Sequence, residues 1–140
     1  MCARLRFDGI HSGVDLRSHG VVADALLLAE IAEAEALLAR GEADQVFAAA
    51  ELAYARSKSD PARRLAARLA AKRAVLQLLG PGLGWPDVVV TPSRGGPPGL
   101  TLSAAAAERL QALGAWRAVV SLTHGLTHAA AWVLFLARAR

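Results

Sequence analysis

Several short stretches of this chain carry side chains that could do chemistry. Asp15 stands in the apolar run Gly13-Val14-Asp15-Leu16, where an acid either caps a neighbouring element or serves a site. Arg64, Arg68 and Lys72 recur every four residues. On a helix they line one cationic stripe, suited to a phosphate, to an acidic partner, or simply to water. Gly80, Gly82 and Gly84 follow. Glycines so placed either stop a helix and turn the chain or let backbone N–H groups approach an anion. Ser121, Thr123 and His124 share the run Val120-Ser121-Leu122-Thr123-His124, with His128 just beyond the turn and His19 close to Asp15 in sequence. Imidazoles change charge near neutral pH and can act as acid or base. The 4 histidines match no tetrahedral ligand spacing, so a zinc site is excluded.

Those residues need elements to position them. Gly13 to Leu16 begins a short strand. From about Asp24 to Arg40, Leu27, Ile31 and Leu38 fall on one side of a helix with Glu30 and Glu33 on others, and Gly41 ends it. A second helix covers roughly Ala43 to Arg56. Asp60 is placed as an N-cap and Pro61 as the first residue of a third helix, Pro61 to Leu79, which carries the cationic stripe. Strands follow at Asp87 to Thr91 and Leu100 to Leu102, around a turn from Ser93 to Gly99. Ser103 caps another Ala-rich helix, and strands at Trp116 to Leu122 and Ala129 to Leu136 flank Thr123 to Thr127. This order predicts one α+β domain over residues 1–140 with a mainly antiparallel sheet.

Composition narrows the function classes. With 54% apolar and 5% aromatic residues, the core must be Ala, Leu and Val, and some apolar surface is expected to lie between subunits. The net charge of +4 comes mainly from dispersed Arg, and aromatics for base stacking are few, which argues against nucleic acid. Cys2 is the single cysteine, so neither disulfide nor thiol chemistry is expected. Arg4, Arg6 and Asp8 interrupt any early apolar leader. Ala118 to Ala137 has no formal charge, yet it holds Ser121, Thr123, His124, Thr127 and His128, which are unfavourable in a bilayer. It is expected to form strands rather than a membrane span, in a cytoplasmic protein.

Taken in order, Gly13-Val14-Asp15, Phe47-Ala48-Ala49-Ala50-Glu51-Leu52, Leu69-Ala70-Ala71-Lys72-Arg73-Ala74-Val75 with the glycine loop, Gly96-Pro97, and Val120 to His124 form a set. It resembles holo-acyl-carrier-protein synthase, the small class of the 4'-phosphopantetheinyl transferase superfamily. The pattern there is an early G-[IV]-D, F-T-x-x-E-L, a central A-A-K-E-A followed by G-x-G, a G-x-P turn and V-S-[IL]-[ST]-H. The resemblance implies the small phosphopantetheinyl transferase fold: an antiparallel sheet packed on a long central helix, assembled as a trimer. It implies transfer of phosphopantetheine from coenzyme A to a serine of an acyl carrier protein, in fatty-acid or polyketide biosynthesis. It also implies that Asp15 and a Glu after Lys72 hold Mg²⁺ against the pyrophosphate. Arg68, Lys72 and the backbone of Gly80, Gly82 and Gly84 would bind the phosphates, and Ser121, Thr123 and His124 would shape the nucleotide pocket.

Three charged positions depart from that pattern. Arg73 replaces the Glu, leaving Asp15 alone for the metal, and neutral Gln77 replaces a second Lys. Aligning Glu30 to Leu38 with the family's E-I-x-R-I-E-x-L-L puts Glu33 where an Arg faces the acidic carrier, and requires an insertion after Leu16 that includes His19 and Val21 to Leu28. Glu33 or Asp15 is expected to pair with Arg73. Three functions remain open. One is a diverged member with an impaired Mg²⁺–coenzyme A site, either non-catalytic or repurposed for carrier-bound chains with Asp15, His19, His124 or His128 as acid and base. The second is an active transferase with a rearranged metal site. The third is a structural subunit of a larger assembly. The joint change of three charges favours the first.

Overall fold

A computed structural model describes residues 3–5, 20–92 and 95–138. The expected strand at Gly13 to Leu16, Asp15 and His19 lie outside those residues. The elements are β1 (Ala3–Leu5), β2 (Val21–Glu30), α1 (Ile31–Ala39), α2 (Ala49–Arg56), α3 (Pro61–Leu79), β3 (Val88–Thr91), β4 (Gly99–Leu102), α4 (Ala104–Ala112), β5 (Arg117–His124) and β6 (His128–Leu136). Single 3-10 turns occupy Ala43–Gln45 and Trp85–Asp87. The main sheet has the order β1-β2-β6-β5 and every pairing in it is antiparallel, while β3 and β4 form a separate antiparallel pair. The expected α+β architecture with antiparallel strands is the one observed.

The first expected helix is corrected. Residues 21–30 form a strand, paired residue by residue with β6 from Ala23↔Phe135 to Glu30↔His128, and only Ile31–Ala39 is helical. Ala, Leu and Glu dominate this stretch, and all three favour helix intrinsically. The sheet overrides them: Ala25, Leu27 and Ala29 are buried at a spacing of two, and Asp24, Leu26, Leu28 and Glu30 alternate with them. Val21 to Leu28 are therefore part of the sheet, paired with β6. The second expected helix also shortens, to Ala49–Arg56 after the turn at Ala43–Gln45.

Helix α3 has the expected ends. Pro61 opens it, with its fixed φ and missing N–H suited to the first turn. Asp60 stands at the N-cap but its side chain caps nothing; its carboxylate accepts instead from Arg64 Nε at 3.1 Å. Ser103 does cap α4, accepting from the Ala106 N–H at 3.2 Å. Helix α3 is buried on most sides, and its Leu65, Leu69, Ala70 and Ala74 share the core with Ala25, Leu27 and Ala29 of β2, Val120 of β5, and Ala131, Val133 and Phe135 of β6. So many alanines let the helix backbone approach the sheet closely, with dispersion contacts replacing bulky side chains. Alternation puts Asp24, Trp132, Ser121 and Thr123 on the opposite face of the sheet. No helix among the described residues is long and apolar enough to cross a membrane.

Candidate functional site

A cleft of about 790 Å³ opens where α2, the start of α3, the β3–β4 connection and the end of β5 meet. Its walls include Tyr54, Ser57, Lys58, Arg64, Arg68, Pro98, Leu122 and His124. Arg68 is only 4% exposed, stacks its guanidinium 4.2 Å from the centre of the Tyr54 ring and donates from Nη1 to the Arg64 carbonyl at 3.2 Å. Its Nε is buried without a hydrogen-bond partner. Burial lowers the affinity of Arg68 for its proton, yet a guanidinium stays charged. Lys58 lies over the same ring at 5.3 Å. Arg64 pairs with Asp60, whose carboxyl is held below its usual range chiefly by that hydrogen bond. Three cations thus face one acid at this cleft, an arrangement that fits a phosphate-bearing ligand.

The cationic stripe splits. Arg64 and Arg68 line the cleft, whereas Lys72, one turn further along α3, is fully buried. Its Nζ donates to Glu51 Oε1 at 2.8 Å, and Glu51 is equally buried. The same carboxylate accepts from the Ala48 N–H at 2.8 Å and the Val90 N–H at 2.9 Å. Lys72 therefore ties α3 to α2 and β3 and does not line the cleft, contrary to the binding and catalytic roles expected for it. Its side chain is covered by Glu51 of α2 and the Phe47 ring, and through Glu51 it is joined to Val90 of β3.

Arg73, the next residue, reaches α1. It donates from Nη1 to Glu33 Oε2 at 2.9 Å and from Nη2 to Glu33 Oε1, a bidentate pair, and its Cζ lies 6.0 Å from the centre of the Trp85 ring. The expected pairing of Glu33 with Arg73 is the one found. Among the described residues no group of three His, Cys, Asp or Glu side chains could hold a metal ion. A guanidinium stands where the resemblance wanted a second carboxylate, and the nearby carboxylate of Glu33 is engaged by it. The described residues do not fit Mg²⁺ at this point.

The remaining expected residues scatter. Gly80 and Gly82 have φ of 93° and 98°, but the Gly80 N–H is taken by the Leu76 carbonyl and the Gly84 N–H by Asp87 Oδ2. Arg109 of α4 grips the loop from its other side, donating to the Leu79 and Pro81 carbonyls at 3.2 and 2.6 Å. This loop follows the far end of α3 from the cleft. Leu122 and His124 point with buried Val120 to the α3 side of β5, so Ser121 and Thr123 face away from the cleft. His128 lies opposite Glu30, Nε2 to Oε1 3.9 Å, with its Nδ1 2.9 Å from Thr127 Oγ1.

Sequence reasoning passed over Tyr54, Lys58 and Asp24. Tyr54 and Lys58, four residues apart at the end of α2, were detectable as an aromatic–cation pair at helical spacing. Asp24 sits in β2, seven residues before α1 begins, and accepts from Trp132 Nε1 at 3.3 Å. A strand reading of Val21 to Glu30 would have offered it as the strand acid in place of Asp15.

No protein-family model matches the chain. It is 42% identical over 93 residues to the holo-[acyl-carrier-protein] synthase of Moorella thermoacetica, covering 64% of this chain and 73% of that protein. To the enzyme of the same name from Laribacter hongkongensis it is 41% identical over 115 residues, covering 77% of this chain and 92% of the other. The crystal structure of Helicobacter pylori holo-[acyl-carrier-protein] synthase in complex with coenzyme A superposes with a TM-score of 0.66 over 81% of this chain and 99% of that one, at 20% identity, and so shares the fold.

Proposed function

The chain belongs to the holo-acyl-carrier-protein synthase family, and from that premise we propose that it is a diverged member, binding coenzyme A in the cationic cleft with its Mg²⁺ site impaired. The observation that carries this is the Arg73–Glu33 pair. Following Lys72, the family resemblance calls for a carboxylate, because a hard divalent cation against a pyrophosphate needs oxygen ligands. A guanidinium there repels the metal and engages the nearest acid. Coenzyme A binding is supported by Lys58, Arg64 and Arg68 at the cleft and by the coenzyme A complex of the Helicobacter pylori protein. When bound, coenzyme A would supply the phosphopantetheine group; Arg64, Arg68 and Lys58 would hold its phosphates.

The partner on this reading is an acyl carrier protein or a chain bound to one, and the assembly a homotrimer. With Asp24 as the strand acid the insertion after Leu16 is unnecessary, and the place of the family's carrier-facing Arg then falls on Glu30 instead of Glu33. Either way an acid stands where a cation would meet an acidic carrier, which weakens docking. The site is then non-catalytic or repurposed toward carrier-bound chains.

A second reading, an active transferase with a rearranged metal site, has its own support in the 41–42% identity to proteins named as synthases and in the presence of Asp24. One assay separates them: the protein is incubated with an acyl carrier protein lacking its prosthetic group, coenzyme A and Mg²⁺, and the carrier is weighed by mass spectrometry. No phosphopantetheine mass shift is expected. Transfer at an ordinary enzymatic rate ends the impaired reading in favour of the active one.

A further inference from the structure

We propose that an apolar pocket at the start of α2 takes the acyl chain of a thioester, apart from the cationic cleft. For its natural ligand the inference rests on the reading of a site repurposed toward carrier-bound chains.

The pocket has a volume of about 440 Å³, within the range of roughly 300–1,000 Å³ for small-molecule sites. Val46, Phe47 and Leu52 line it from α2 and the segment before it, Trp85 and Pro86 from the turn before β3, and Val89 from β3. Phe47 and Leu52 are nearly buried. Two of the rings are held in place by cations behind them. Phe47 lies 5.9 Å from Lys72 Nζ, which Glu51 holds, and Trp85 lies 6.0 Å from the Arg73 guanidinium, which Glu33 holds. Walls fixed in advance spare a ligand the cost of ordering them.

Charge selects the occupant. Among the described residues lining the pocket, Asp44 is the only charged one, and no cation is present. A phosphate or a free carboxylate is repelled there, whereas an acyl chain in thioester linkage is neutral. The cationic cleft has the opposite balance. Helix α2, about 12 Å long, joins the two: Ala48, Ala49 and Leu52 line the pocket, and Tyr54, Ser57 and Lys58 line the cleft. Phosphates and an acyl chain thus have separate places along one helix.

The test titrates the full chain by calorimetry with N-acetylcysteamine thioesters of acetic, butyric, hexanoic and octanoic acid, none of which carries a phosphate. Expected is tightening with chain length, by up to about tenfold for each two methylenes added, as more apolar surface is buried. Ala49 is exposed where it lines the pocket, so Ala49→Trp should melt with the wild type yet bind the octanoyl thioester at least tenfold more weakly. A bromo-octanoyl thioester should quench tryptophan fluorescence and lose most of that quenching in Trp85→Phe. Absence of binding, equal affinity across the series, or quenching unchanged in Trp85→Phe overturns the proposal. So does unchanged octanoyl affinity in a folded Ala49→Trp; if that variant unfolds, the series and the quenching decide. A smaller assembly for Ala49→Trp in light scattering would give the pocket to a second copy of the chain and also overturns it. Coenzyme A is titrated in parallel. Its binding without that of the octanoyl thioester removes the acyl pocket and leaves the coenzyme A reading standing, and the reverse result removes the coenzyme A reading alone.

Discussion

Both oxygens of the Glu33 carboxylate are held by the Arg73 guanidinium, joining α1 to α3 across 40 residues of sequence. The hydrogen bond from Arg73 is the largest influence on Glu33 and keeps its carboxyl below the usual 4.5, against a smaller opposing effect of burial. The pair therefore does structural work where the family resemblance placed a metal ligand.

The pH dependence follows from that direction. A carboxyl whose folded-state value is depressed stabilises the fold above its unfolded value and loses that contribution as pH falls through the folded one. Thermal melts of the wild type should thus lose stability below about pH 4.5. Glu33→Gln should lack about 1 kcal/mol of that loss, the size expected of a partly exposed bidentate pair. Asp60 and Asp87 are also held low, by Arg64 and by the Gly84 N–H respectively, so only the difference between variant and wild type isolates Glu33. Parallel pH profiles for the two proteins would remove the pair from the stability account.

Lys72 should behave as a structural residue. Lys72→Met leaves Glu51 charged and buried, and breaking such a pair from one side destabilises by roughly 3–5 kcal/mol. Urea unfolding measures this, and coenzyme A affinity per folded molecule should stay at the wild-type value. A variant that folds normally but binds coenzyme A tenfold more weakly would return Lys72 to the ligand site.

Much of the fold was legible because local signals agreed with tertiary ones. Pro61 and Gly80 bound α3, and Ser103 capped α4 as its position suggested. Residues 21–30 failed because Ala, Leu and Glu specify helix locally, and only pairing with β6 makes them a strand. Arg68 and His124, both singled out in the sequence, line one cleft, and Arg73 pairs with Glu33 as expected. The burial of Lys72 was not legible, since periodicity along α3 does not say that Glu51 of α2 will meet it. Tyr54 and Lys58 were missed because the cleft joins two helices separated by a turn, a contact that spacing along one helix cannot report.

The glycine loop should discriminate between its glycines. At Gly82 the φ of 98° is one that L side chains resist, and a Cβ would lie 3.0 Å from Arg109 Nη2. Gly82→Ala should destabilise by about 1–2 kcal/mol. Gly84 has an ordinary φ of −129° and room for a Cβ, with Pro86 Cδ nearest at 3.7 Å, so Gly84→Ala should fall within about 0.5 kcal/mol of wild type. Urea unfolding of the two variants settles the order, and equal losses would mean that Arg109 does not fix the loop.

Restoring the metal site should reveal which acid belongs to it. In the double variant Arg73→Glu with Gln77→Lys, the carboxylate and the second cation of the family pattern return. Mg²⁺-dependent transfer to the carrier protein should then appear in the mass assay. Asp24 is the acid that β2 holds just before α1, and Trp132 Nε1 already hydrogen-bonds one of its oxygens. Adding Asp24→Asn to the double variant should reduce transfer by about 100-fold or more, the scale of lost metal-site support. If the metal belongs to Asp24, Asp15→Asn in the same background should leave transfer within about twofold. The opposite ranking would give the role to Asp15 and restore an insertion between it and α1. Transfer that depends on neither acid would mean that the metal is held by residues other than these two.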